Sequence, residues 1–372
     1  MTETIAADAP PPDAPAAETP ASPPPTAASH PVATPAPVEH PFEFHGNERE
    51  YFRIWIVNLA LTILTLGIFS AWAKVRTERY FYANTRVAGT PFEYLARPLP
   101  ILKGRIIAFS LLSAYILASR FSLKLQFALL ILIGLVSPWL IVRGLMFRAR
   151  YSSWRGLTFR FVPDYWGAYK YYLLMYLLFP LTLGLIFPYI KFKQKKYLVE
   201  HHRYGRRDFG FSATGGDFYI PYFIAIGMLI GLWIGIAATI PLLVGGAGRE
   251  SGMAGFYVLL ALSYVAYFVI FVYLASRILN LTYNKAALSG LALRSTLRAR
   301  GLMRLYAFNT FGIILSLGML IPWAMIRMAR YRAACMALLA SDDLDALDAE
   351  GQGEVSAVGA EIDHVFDMDI GL

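Results

Sequence analysis

An all-α polytopic membrane fold, with internal repeats of an anchor segment plus a transmembrane hairpin and with short interfacial strands, is predicted by three observations. First, the 372-residue chain is 57% apolar and 15% aromatic, and its mean hydropathy of +0.48 is too high for a soluble chain of that length. Second, uncharged apolar stretches run at about 54–73, 106–119, 125–142, 171–190, 219–248, 253–276 and 305–326. Several of them reach the roughly 20 residues that a bilayer core requires. Third, the motif Thr/Ser-Leu-Gly closes an apolar run three times, at Thr65-Leu66-Gly67, Thr182-Leu183-Gly184 and Ser316-Leu317-Gly318.

The three copies agree well beyond the glycine. Five residues after Gly67, Gly184 and Gly318 stand Trp72, Tyr189 and Trp323; nine after, Arg76, Lys193 and Arg327; twelve after, Arg79, Lys196 and Arg330; thirteen after, Tyr80, Tyr197 and Tyr331. On a helix the last three positions lie at i, i+3 and i+4, so two cations and a tyrosine share one face. Such a face can bind anionic lipid headgroups or other anions. It can equally be a positive-inside anchor with its tyrosine in the aromatic belt. Trp72, Tyr189 and Trp323 are expected to mark the depth of the interface.

The motif glycines are expected to turn the chain. Glycine accepts positive φ, threonine bonds nearby backbone, and Pro188 and Pro322, four residues on, cannot extend a preceding helix. Charge decides between two topologies. If all seven segments cross, Lys and Arg outside them divide 16 to 17, against the positive-inside rule. If the anchors enter and return on one side, and only the hairpins near 106–142 and 219–276 cross, the division is 30 to 3. The competing arrangement, an inverted repeat as in many secondary transporters, is supported by anchor length. The same-side arrangement is preferred, with both termini cytoplasmic.

Aromatic-x-aromatic triplets at Phe42-Glu43-Phe44, Phe92-Glu93-Tyr94, Phe159-Arg160-Phe161 and Phe209-Gly210-Phe211, with Leu291-Ala292-Leu293 as a weaker fifth, recur at matching places. They fit short strands beside the membrane or interfacial aromatics in loops. The resulting division is a Pro/Ala-rich acidic tail at 1–40, expected to be disordered, a membrane domain at 41–340 and an acidic tail at 341–372. Within the membrane domain the repeats fall at about 42–158, 159–290 and a truncated 291–340. All 34 basic residues lie in the middle region against 10 acids. That balance points to anionic membrane lipids as partners and away from nucleic acid.

Gly227, Gly231 and Gly235 form a tandem G-x-x-x-G face, a close-packing signal within the chain or in a homo-oligomer. Asn58 and Asn309 precede their motif glycines by nine residues and are expected to bond between helices. His201-His202 reads as a solvated loop pair, since adjacent side chains point to opposite sides of any regular element. The lone Cys335 excludes an intramolecular disulfide. With no catalytic or metal-binding motif, the chain reads as non-enzymatic and free of cofactors.

The stretch from Tyr51 to Tyr94, with N-x-x-L-x-x-L-T-L-G-I-F-x-A-W-x-K-V-R-x-x-R-Y-F-Y-x-N-T, resembles the YjgN family of bacterial inner-membrane proteins of unknown function. The resemblance implies a multi-pass protein of the inner membrane and brings no mechanism with it. The third copy departs after Tyr331, where a third long hairpin is not expected. Transport or conduction of a small solute is the favoured expectation, and a lipid-binding or envelope-organising scaffold the alternative.

Overall fold

The computed structural model describes residues 37–246, 249–340 and 344. The tails expected at 1–40 and 341–372 lie outside the described residues except for 37–40 and Leu344.

Ten short strands close into a single barrel. They are β1 (Val38–Phe44), β2 (Thr85–Val87), β3 (Thr90–Tyr94), β4 (Ser152–Trp154), β5 (Leu157–Phe161), β6 (His202–Tyr204), β7 (Arg207–Phe211), β8 (Ala286–Leu288), β9 (Leu291–Ser295) and β10 (Met336–Ala340). Each strand pairs antiparallel with its neighbours in sequence, and β1 pairs with β10 through Val38 opposite Ala340 and Pro41 opposite Ala337. The all-α expectation is thus corrected: helices dominate the chain, but the triplets belong to a closed sheet rather than to isolated interfacial strands. β1 also starts inside the segment expected to be tail. The third copy likewise continues past Tyr331 into β10, which supplies the strand that closes the barrel.

Alternate connections are two-residue turns. Ala88-Gly89 and Arg155-Gly156 each place two consecutive residues at positive φ, 48° and 76° in the first and 51° and 77° in the second, as a type I′ hairpin turn requires. The other five connections are helical hairpins: α1 (Glu48–Leu64) with α2 (Ser70–Asn84), α3 (Pro98–Phe121) with α4 (Leu123–Arg150), α5 (Tyr165–Tyr172) with α6 (Phe187–Glu200), α7 (Gly215–Gly246) with α8 (Arg249–Asn284), and α9 (Ala299–Leu315) with α10 (Ile321–Ala334). In an up-and-down barrel all tight turns gather at one end and all longer connections at the other. All five helical hairpins therefore leave, and return to, the same end.

The helices follow the order of the strands. α2 packs on α3, α4 on α5, α6 on α7, α8 on α9, and α10 on α1, so the helix bases form a ring above the barrel. Among the described residues four helices, α3, α4, α7 and α8, are long and apolar enough to cross a membrane. The three motif hairpins are shorter, and the middle one is irregular: α5 gives way to a 3-10 turn at Leu174–Leu178 before the chain reverses.

Strand alternation explains the triplets. Phe42, Phe92, Phe159 and Phe209 point into the barrel beside Trp154, Tyr204, Leu288 and Leu338. Two residues on, Phe44, Tyr94, Phe161 and Phe211 pack instead among the helix bases. One pair of alternating side chains thus fills the barrel and seats a hairpin on its rim.

The tyrosine at +13 in each motif ties its hairpin together. The Tyr80 hydroxyl donates to the carbonyl of Asn47 (3.0 Å), that of Tyr197 to Asp164 (2.8 Å) and that of Tyr331 to Arg298 (3.3 Å). Asn47, Asp164 and Arg298 are the cap residues that begin α1, α5 and α9. Tyr197→Phe is expected to lower stability by about 1 kcal/mol, the net value of one such bond. A reduced thermal unfolding midpoint in detergent micelles, with helix content unchanged at low temperature, is the result to look for.

Candidate membrane-facing site

The three motif turns adopt one conformation. The Gly67 N–H bonds the Thr62 carbonyl (2.7 Å) and the Leu66 N–H bonds that of Ile63 (3.1 Å), the paired bonds of a Schellman cap. Gly184 and Leu183 bond Phe179 and Pro180 in the same way, and Gly318 and Leu317 bond Ile313 and Ile314. The left-handed cap position, which usually takes glycine, holds leucine each time, with φ of 51°, 49° and 49° at Leu66, Leu183 and Leu317. A leucine there costs about 1–2 kcal/mol. Their side chains are nevertheless 95%, 91% and 95% exposed, at tips that carry no charged residue. Thr65 and Ser316 then cap the returning helix, their hydroxyls accepting from the N–H of Phe69 (2.9 Å) and Leu320 (3.0 Å).

Nearer the barrel, the motif cations divide by role. At +12, Arg79 donates to the carbonyl of Ala96 (3.2 Å) and Arg330 to that of Gly46 (3.3 Å), in both cases the residue two past the end of a strand. Arg330 also pairs with Glu48 at 2.9 Å, joining the last hairpin to the first. Lys196 pairs with Glu200 at 3.6 Å. At +9, Arg76 is exposed, while Lys193 and Arg327 are half-buried, 5.3 Å from the ring centre of Tyr189 and 4.9 Å from that of Trp323. Cation and aromatic ring thus form one amphipathic unit at two of the three motifs.

Of the two asparagines, Asn309 donates to the Ala324 carbonyl (3.3 Å) across its hairpin, a helix–helix bond as expected. Asn58 is buried at the matching place, with neither amide atom hydrogen-bonded among the described residues. Gly227, Gly231 and Gly235 are exposed, and a Cβ added at any of them meets nothing within 4 Å, so among the described residues no close helix contact uses this face.

His201-His202 is not the solvated pair expected. His202 begins β6, stacks edge-on against Phe161 and donates from Nδ1 to the Leu198 carbonyl. His201 bonds the Tyr197 carbonyl (2.9 Å) through Nδ1 and approaches Asp164 at 3.7 Å. Among the described residues no group of three or more His, Cys, Asp or Glu is placed to hold a metal ion.

Two cavities were not foreseen. The barrel lumen holds about 240 Å³ between aromatic and aliphatic walls. Leu344 packs into the same cluster, its carbonyl accepting from Arg155 (2.6 Å) of the β4–β5 turn. A larger space of about 820 Å³ lies between α2, α3 and α4, where Gly104, Ala108 and Gly144 leave room. Lys74, Arg105, Arg148 and Glu78 line it with Tyr82 and Tyr94. Burial, followed by the nearby Glu78 carboxylate, pushes the Tyr94 hydroxyl up to about 12.

The model of a bacterial protein family of unknown function, DUF898, matches residues 39–365. The chain belongs to this family. It is similar to the inner membrane protein YjgN of Escherichia coli O157:H7, 30% identical over 149 residues, which are 40% of this chain and 37% of that protein. It is also similar to YjgN of Salmonella typhimurium strain LT2, 32% identical over 123 residues, 33% of this chain and 31% of that protein. A shorter match to YjgN of Escherichia coli K12 is 51% identical over 55 residues, 15% of this chain and 14% of that protein. The matched stretches therefore span at most 37% of these relatives. No solved structure matches the chain. Membership and these relatives agree with a membrane protein of the bacterial inner membrane, as the resemblance implied.

Burial, opposed by the hydrogen bond to Leu198 and reinforced by Arg148 and His201, holds the His202 imidazole below its ordinary value near 6.5. The unfolded chain then takes up the proton first as pH falls. Stability is accordingly full above about pH 7 and declines as pH drops through the unfolded value towards the folded one. His202→Gln is expected to flatten the dependence of the unfolding midpoint on pH between 7 and 5.

Proposed function

We propose that the chain is a multi-pass, non-enzymatic scaffold of the inner membrane, built of repeats, that holds its barrel against the cytoplasmic face and engages anionic lipid there. In this reading α3–α4 and α7–α8 cross the bilayer, and the three motif hairpins enter and leave one leaflet. Both termini lie on the barrel side.

The three leucine tips carry the reading. A strained leucine exposed to water returns nothing for its 1–2 kcal/mol, whereas moving such a side chain out of water contributes about 1.5–3 kcal/mol. Reach agrees with single-leaflet entry: the apolar part of α1, from Ile54 to Leu64, rises about 16 Å at 1.5 Å per residue, close to half of a hydrocarbon core about 30 Å thick. The near-even charge division that counts against a full crossing supports the same arrangement, because 30 of the counted cations then share the barrel side.

The scaffold reading is preferred over solute transport because the barrel lumen is lined by side chains such as Phe92, Trp154 and Leu288, which suit an apolar occupant better than a hydrated one. The open Gly227, Gly231 and Gly235 face supports self-association through α7 as part of this proposal.

Cysteine probes test the membrane arrangement directly. In a Cys335→Ala background reconstituted in vesicles, a fluorophore at position 66, 183 or 317 should be quenched by lipids brominated deep in the acyl chain and spared by aqueous iodide. Iodide quenching without bromolipid quenching would remove the basis of the reading. Gly231→Leu should reduce the fraction of cross-linked dimers, and an unchanged fraction would exclude α7 as the contact.

A further inference from the structure

We propose that the cavity between α2, α3 and α4 is a binding site for the phosphate group of an anionic amphiphile, with Lys74, Arg105 and Arg148 as the cationic receptors. This inference deepens the lipid-binding reading above and names its ligand chemistry and its place.

Three independent features converge there. The cavity is large, about 820 Å³, and its wall carries three cations against the single carboxylate of Glu78, a local balance that favours an anion. Arginine is suited to phosphate because its planar donors can engage two oxygens at once, while lysine adds a point charge. Tyr82 and Tyr94 stand in the same wall, and the shifted Tyr94 keeps its proton, and so remains a donor, throughout the physiological range. Tyr82 already shares a hydrogen bond of 3.1 Å with Ser152, which fixes its ring against the barrel rim.

The cavity is also amphipathic along its length. Arg148 lies two residues from the barrel end of α4, and Arg105 seven residues into α3, about 10 Å from that rim. Ile101 and Leu145 lie at the depth of the cations, and beyond them the walls continue as Ala108, Leu140 and Ile141. A phosphate at the charged end leaves its glycerol or alkyl stem against the apolar walls, in the direction in which the long hairpin becomes wholly apolar. A free inorganic anion makes no use of that second half.

The matching place in the other long hairpin lacks the glycines and the arginines. Counting from the ends of β7 and β8 as from β3 and β4, Gly104, Arg105, Gly144 and Arg148 become Pro221, Tyr222, Ile278 and Thr282; Lys74 keeps a lysine counterpart, Lys191, and Glu78 becomes Lys195. Both places are cationic, but the space and the two planar arginine receptors are special to the first hairpin.

Native mass spectrometry of the full chain in detergent, with phosphatidylglycerol or phosphatidylcholine added, tests the proposal. Phosphatidylglycerol should give a retained one-to-one adduct, and phosphatidylcholine a weaker one. Arg105→Gln with Arg148→Gln should cut phosphatidylglycerol retention at least about tenfold, the fold-change of 1.4 kcal/mol. Glu78→Gln, which removes only the opposing charge, should increase it, so a gain of binding accompanies the loss. Competition by soluble glycerol 3-phosphate or inorganic phosphate at millimolar concentration would assign a free phosphate as sufficient ligand; an adduct that survives both assigns the lipid. Equal retention of the two lipids, or retention indifferent to all three substitutions, would overturn the proposal. Tip quenching at Leu66 reads the hairpin arrangement separately: normal quenching with an unaffected adduct removes the cavity alone, and lost quenching with a substitution-sensitive adduct removes the hairpin reading alone.

Discussion

The antiparallel pairing of β1 with β10 governs everything else in this molecule. With that seam closed, every strand has two neighbours and no edge is left to pair with another chain. Closure through neighbours in sequence also forces direction to alternate, and alternation sends all five helical connections to one rim. The grouping of helices above the barrel is therefore a consequence of sheet topology and needs no separate cause. Arg330, bonded to Gly46 and paired with Glu48, reinforces the same seam from the helical side.

The helical side could be read well from the amino-acid sequence because its signals are long. Apolar runs of a dozen residues or more and charge confined to their ends mark the hairpins, and the leucine-glycine turns reverse the chain where the motif suggested. The barrel was only half legible. Strands of three to five residues are too short for alternation to register, and β10, Met-Ala-Leu-Leu-Ala, has none of the aromatic pattern of its counterparts. Pairing between residues 38 and 340 is non-local, and no local pattern can announce it. The aromatic triplets were visible because a barrel wall and a hairpin base both need large side chains two residues apart.

The candidate site shows the same limit. Spacing placed two cations and a tyrosine on one helical face, correctly as geometry, but the structure gives the tyrosine hydroxyls and two of the +12 cations to backbone carbonyls. The cations that line a cavity, Lys74, Arg105 and Arg148, come from three helices and form no linear pattern. A difference between the two long hairpins is the signal that could have found the arginines, since Arg105 and Arg148 have no charged counterparts at the matching positions, Tyr222 and Thr282.

Ring closure also sets an order of events during synthesis. All five hairpins, and nine of the ten strands, are complete before Met336–Ala340 emerges, yet β1 has no second partner until then. Pairings of high sequence separation are slow to form, because a long loop must close before they contribute. The growing protein therefore holds an open, nine-stranded sheet, with the β1 and β9 edges both exposed. Until the last strand covers them, both edges can pair with strands other than their own.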